Sequence, residues 1–263
     1  MTYGPDTPRY HATTDKPVHY LAVANARGEP IGYLWANDED GAAGWCPRPA
    51  GDPVRLDEGQ EWLARLGEAK GRGLAPTAAL AELVRGSDPR RPSHIVPGSL
   101  TAAADLTALT ELAGRITEAD DRRLLARLDR ANSHAWHELR QGLAELTDED
   151  RDVQWRPARQ NPSGTWTVGY PIHSERLNRV IRALVAVGAV TPAYLWIDNP
   201  PPTLPPDGRL SPADAMRAAT AIVRGERFSD GTIGQAARDG LIDAVGTSLC
   251  AWYAAEQGHD GRT

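Results

Sequence analysis

The chain has 263 residues, 41% of them apolar, and a formal net charge of −6. This is enough length for one large or two ordinary domains and enough apolar matter for a buried core, which excludes wholesale disorder. The acidic balance, with a pI near 5.7, disfavours nonspecific attachment to DNA or anionic membrane and leaves a local basic face as the exception to look for.

Residues 1–16 are polar, lack the apolar centre of a secretory signal and read as a flexible arm. Two strands are expected over 18–23 and 31–35, joined by the turn chemistry of Arg27-Gly28-Glu29-Pro30. Asn37-Asp38-Glu39-Asp40-Gly41 supplies a second turn into a third strand at 42–46. The sheet needs a cover. Trp62, Leu63, Leu66 and Ala69 fall at helical spacing before Gly71 and Gly73, and Leu80, Leu83 and Val84 form the apolar face of a short helix after Pro76. Residues 17–98 therefore read as a small α+β module, closing in a linker or irregular strand at 85–97.

The remainder, 99–258, reads as mostly helical. Leu106, Leu109, Leu112, Ala113 and Ile116 make one stripe, and the leucines of 120–146 a second, longer one. Residues 156–169 read as a polar loop anchored by Trp155 and Trp166. Ser174 is a candidate N-cap for a helix that ends at Gly188, where a left-handed cap belongs. The prolines of 200–206 form a stiff surface loop. Ser211 reopens the helix, with Pro212 at its first position and Asp214 completing a capping box. Helices at 232–238 and 241–253 complete the chain. The expected fold class is α+β: a small antiparallel sheet with two helices, followed by a mostly α-helical domain.

Several features of 106–255 carry a resemblance. They are Tyr170-Pro171, the 174–188 helix, Tyr194 to Trp196, Ser211 to Asp214, and above all Val223-Arg224, Glu226-Arg227-Phe228 and Asp230-Gly231. The region resembles an uncharacterised bacterial family, a domain of unknown function, best over 169–245. Members often have Cys where Ser229 stands and Glu where Asp230 stands. The resemblance implies a mostly helical fold and no known activity. The amino-terminal module resembles small domains in hypothetical proteins of GC-rich bacteria, which implies no function.

No assembled catalytic set emerges. Glu226, Arg227 and Asp230 lie in a short link between two helices. Arg227 could clamp a phosphate or carboxylate beside the next helix start, with His173 as a general base and Trp196 nearby. The same residues also read as an ion pair with capping, Asp230 as N-cap and Phe228 plugged into the core. His134 and His137 have a spacing two imidazoles could use on one metal, but no further ligand cluster accompanies them. Asp38 and Asp40 lack the closing Glu of a calcium loop. Residues 232–252 have the outline of a helix-turn-helix whose second helix carries no Lys or Arg, so it forfeits the electrostatic term that dominates DNA affinity. Trp35, Trp45 and Trp62 read as core volume replacing absent phenylalanines.

Lysine occurs only at positions 16 and 70, which fits codon bias in a GC-rich genome. Cys46 and Cys250 are far apart and not in a metal-ligand spacing, and no run approaches the roughly 20 apolar residues that span a bilayer. The expectation is a cytoplasmic, non-enzymatic interaction or regulatory protein with a protein partner. It needs no cofactor, no metal and no membrane, and DNA is disfavoured. The alternatives are a protein or enzyme binding a small anionic or phosphorylated ligand through His173, Trp196, Glu226, Arg227 and Asp230, and a DNA-binding regulator.

Overall fold

A computed structural model describes residues 8–48, 56–197, 199–201 and 203–260. The chain divides between Thr117 and Glu118 into two compact units. The amino-terminal unit is built on an antiparallel meander of β1 (Val18–Asn25), β2 (Pro30–Asn37) and β3 (Ala42–Pro47). Both turns are fixed by asparagines. The Asn25 carboxamide oxygen accepts the backbone N–H groups of Arg27 and Glu29 at 2.9 and 3.1 Å. That of Asn37 accepts the Asp40 N–H at 2.8 Å. The acidic turn has no spare ligands. Asp38 accepts the Thr77 N–H at 2.8 Å, and Asp40 pairs with Lys16 at 2.8 Å.

One face of the sheet packs Leu21, Val23, Leu34 and Ala36 against α1 (Leu56–Gly71) and α2 (Pro76–Arg85), with Trp62 fully buried. The other face packs Val18, Trp35 and Cys46 against Leu109 and Ala113 of α3 (Leu106–Gly114). Trp35 and Trp62 thus fill opposite cores, while Trp45 is half-buried. Glycine makes room for the indoles: a Cβ at Gly32 would stand 2.3 Å from Trp45 and one at Gly44 2.9 Å from Trp35.

Two sequence expectations differ here. Residues 99–117, read as part of the helical region, belong to the sheet unit, because β5 (Thr101–Ala103) pairs with β1 beside β4 (Ser93–Ile95) and α3 covers the sheet's second face. Residues 8–16 are not a loose arm. Tyr10 is buried in the first core and its hydroxyl donates to the Leu74 carbonyl at 2.7 Å, while His11 exchanges backbone bonds with Gly41 and Ala43. Residues 1–7 lie outside the described residues.

The carboxy-terminal unit is mostly helical. Its elements are α4 (Glu118–Leu125), α5 (Ser133–Glu145), α6 (Asp148–Arg151), α7 (Glu175–Ala186), α8 (Pro212–Gly225), α9 (Thr232–Arg238) and α10 (Leu241–Asp260). Leu139, Leu177, Leu184, Met216, Ile242 and Leu249 are the fully buried centre where α5, α7, α8 and α10 meet. The N-caps read from the sequence are present, the hydroxyls of Ser174 and Ser211 accepting the N–H groups of Leu177 and Asp214. Asp214 does not complete a capping box: its carboxylate accepts hydrogen bonds from the Ser211 hydroxyl and Arg217 instead. Gly188 is left-handed, with φ of 80°.

The long helix expected over 120–146 is two helices. Asp129 accepts the N–H groups of Ala131 and Asn132, and Asn132 then caps α5 through the Ala135 N–H. Such side chains offer the backbone partners outside a helix, so they break a stripe that the leucines alone would continue.

Asp150 joins α6 to the start of α7. It takes the Thr147 N–H at 2.9 Å and lies 3.3 Å from Arg176. The backbone hydrogen bond from Thr147 leads, with Ser174, the Thr147 hydroxyl and Arg176 adding to it. Together they pull its carboxyl down from 3.8 to about 2. A depressed carboxylate stabilises the fold fully above its unfolded value and loses that contribution as pH falls toward its folded one. The stability gap between the wild type and Asp150→Asn is therefore expected to be constant above about pH 5 and to close between about pH 4 and 2. Urea melts across this range would measure it; a gap unchanged at pH 2 would contradict it.

Candidate functional site

The link after α8 is where the sequence placed its candidates, and the structure assigns them different duties. Glu226 is not a free acid. Its two carboxylate oxygens accept the N–H groups of Gly231 at 2.9 Å and Ile233 at 2.7 Å, so it caps α9 from five residues before Gly231. A carboxylate at a helix start is stabilised by the unpaired N–H groups and the helix dipole. His173, at the end of β9 (Tyr170–Ile172), places Nε2 3.5 Å from Glu226 Oε1 and keeps Nδ1 buried without a hydrogen-bond partner. Trp196 is half-buried against the link, its ring 6.1 Å from that of Phe228.

The structure thus brings together His173 and Glu226, with Trp196 against the same link. Arg227 and Asp230 are exposed on it. Two expectations are corrected. Asp230 is not the N-cap, because Gly231 with φ of 95° occupies that position and Glu226 supplies the cap. Phe228 is not a core plug, since 74% of it is exposed. His134 and His137 are exposed, with Trp136 between them turned into the core. Asp243, near the start of α10, is held in a two-point ion pair by Arg151 at 2.8 and 3.1 Å. The candidate recognition helix therefore begins with a carboxylate engaged inside the fold.

What the sequence reading missed lies just before His173. The expected polar loop is a β-hairpin. Strand β6 (Gln154–Arg156) pairs with β9, and β7 (Arg159–Gln160) with β8 (Trp166–Thr167). Both ladders keep one register, Gln154 opposite Ile172 through Gln160 opposite Trp166. The interruption falls at Pro157, which has no N–H to give. The tip closes with the Asn161 N–H on the Thr165 carbonyl at 2.8 Å.

Alternation along a strand sends successive side chains to opposite faces. Trp155 goes to one face and packs on the link: a Cβ on Gly231 would stand 2.8 Å from its ring. Trp166, Val168, Tyr170 and Ile172 share the other face. Their exposures of 67%, 76%, 41% and 46% mean that this face is uncovered. Arg156 lies on the same face, its Nη1 donating to the Tyr170 hydroxyl at 2.9 Å. Neither Trp155 nor Trp166 is a core anchor, as the loop reading required.

The arm is also free of acidic residues. No Asp or Glu occurs from 153 to 174. Elsewhere in this unit Arg151, Arg176, Arg179, Arg182 and Arg217 are ion-paired. Among the described residues, Arg156 and Arg159 have no carboxylate partner, a condition they share with Arg140, Arg209, Arg224 and Arg227; what distinguishes the arm is its lack of any acidic residue.

Residues 131–255 match the family of unknown function DUF6508. The matched span contains the hairpin arm, His173 and the whole 225–231 link, and all the residues from Tyr170 onward that carry the sequence resemblance. No curated protein and no solved structure matches the chain.

Proposed function

We propose that the chain is a non-enzymatic interaction or regulatory protein that meets a macromolecular partner through the hairpin arm of its DUF6508 region. The supporting observation is the uncovered stripe of Trp166, Val168, Tyr170 and Ile172 beside Arg156, which has no carboxylate partner among the described residues. Contiguous exposed apolar surface is uncommon on soluble monomers and marks contact sites, and Trp, Tyr and Arg are the side chains that dominate binding energy. The use of both Glu226 oxygens in capping supports a structural duty for the link. A cytoplasmic setting is part of the proposal. It is supported by two free cysteines, one of them buried with its thiol pushed up by desolvation. No described helix is long and apolar enough to cross a membrane. A bacterial source is proposed from the arginine-for-lysine bias.

The test is sedimentation of the full chain in extract of its own cells. The wild type is expected to run well above its 28.4 kDa, and Trp166→Ser/Val168→Ser at the monomer position with its melting temperature unchanged. Monomeric behaviour of both, with turnover of a metabolite, would overturn the proposal.

A second reading keeps the link as a binding site for a small anionic or phosphorylated ligand, held by Arg227 with His173, Trp196, Glu226 and Asp230. It is favoured by two buried nitrogens without hydrogen-bond partners, His173 Nδ1 and Arg224 Nη1. A thermal-shift screen with phosphorylated metabolites decides it. Stabilisation abolished by Arg227→Ala supports it, since a ligand selective for the native state raises the melting temperature. No shift with any of them rejects it.

A further inference from the structure

We infer that the occupant of the arm is an acidic amphipathic helix of a partner protein, lying along the Trp166–Ile172 stripe with a carboxylate on Arg156. This inference rests on the arm being the docking surface, as proposed above.

Dimensions point to a helix. From Trp166 to Ile172 the strand runs about 20 Å, and a two-stranded ribbon is about 10 Å across. A helix of about 13 residues has that length and that diameter. A helix also satisfies its own backbone while presenting an apolar stripe at i, i+3, i+4 and i+7, the usual way such a surface is filled. A two-stranded ribbon is marginal by itself and gains from a packed helix.

Charge selects an acidic partner. Arg156, opposite Tyr170, stands on the stripe's face with its guanidinium 5.8 Å from the Tyr170 ring centre, whereas Arg159, opposite Thr167 on β7, lies on the ribbon's other face. Neither has a carboxylate among the described residues, and a guanidinium fork takes a carboxylate in two parallel bonds. Magnitude decides against a nucleic acid. Even both arginines together neutralise about two phosphates, a salt slope of only about −1.4 for a single strand, too little to hold a polyanion on a chain of net charge −6. A second copy of the chain brings the same uncompensated Arg156 to the contact.

The experiment uses the purified full chain and three labelled probes in anisotropy titrations. One is a 16-residue helical peptide with Leu at i, i+3, i+4 and i+7 positions and Glu elsewhere. The second replaces each Glu by Lys. The third is a 20-nucleotide oligouridylate. The Glu peptide is expected to bind at least about tenfold more tightly than the Lys peptide, and Trp166→Ser and Arg156→Gln each to weaken it about fivefold or more. His134→Ala, on an exposed helix face away from the arm, should leave it unchanged. Equal binding of the two peptides, absence of binding to either, or tighter binding of the oligonucleotide overturns the inference. So does a concentration-dependent dimer of the purified chain that Trp166→Ser dissolves, which would make a second copy the occupant. If the large species in extract persists while the Glu peptide fails, the helix is wrong and the docking arm stands.

Discussion

Replacing Gly188 by alanine is expected to cost on the order of 3 kcal/mol, the sum of left-handed strain and a backbone clash that cannot relax. The helix α7 ends there in a double closure: the Gly188 N–H bonds the Val185 carbonyl at 3.0 Å and the Ala189 N–H the Leu184 carbonyl at 3.0 Å. Only a residue tolerant of φ near 80° fits the closing position. The same position is also a docking point. The Asp129 N–H reaches the Val187 carbonyl at 2.9 Å, and a Cβ on Gly188 would stand 2.5 Å from the Arg127 carbonyl oxygen. Gly208 is the control. Its φ is 69°, but a Cβ there meets nothing within 4 Å, so Gly208→Ala should cost only about 1 kcal/mol of strain. Denaturant melts of both variants measure the difference. Equal costs would mean that the turn between α4 and α5 does not rest on this cap.

Arg217→Ala is the second large effect, expected to cost about 3 kcal/mol. Arg217 is almost wholly buried on α8. One arm of its guanidinium holds Asp121 of α4 at 2.6 Å and the other Asp214 at 2.9 Å. Removing it leaves two carboxylates without their cation and a void beside the core. Both carboxylates are partly exposed and can recruit water, which keeps the cost at the lower end for a broken buried pair. Arg217→Met refills the void without the charge and should recover part of the loss, about 1 kcal/mol. If Arg217→Met were as damaging as Arg217→Ala, charge alone would matter. If neither shifted the melt, α4 would not be held through this residue.

The features legible in the sequence are those with a local chemical cause. Ser174, Gly188, Ser211 and Pro212 announce their helix ends because a hydroxyl, a left-handed φ or a missing N–H acts within a few residues. The three-strand meander and its two turns were legible for the same reason. The hairpin arm was not, because Pro157, Asn161, Pro162, Ser163 and Gly164 read as loop and neither face enters a core. Its one signal is the alternation of Trp166, Val168, Tyr170 and Ile172, a period of two that a search for buried strands passes over. The cap on α9 was equally hidden. Glu226 reaches forward five and seven residues, beyond the three-residue spacing of a capping box. The exposure of Phe228 had no local signal, since a lone apolar residue has no period.

The central claim is that this molecule works by its arm and that the link behind it is structural. The direct measurement is the size of the complex in native extract for two variants of the full chain, Trp166→Ser/Tyr170→Ser in the arm and Arg227→Ala in the link. The arm variant is expected to sediment as a monomer and the link variant to keep the wild-type size. A complex that survives the loss of Trp166 and Tyr170 but falls apart without Arg227 would contradict the claim.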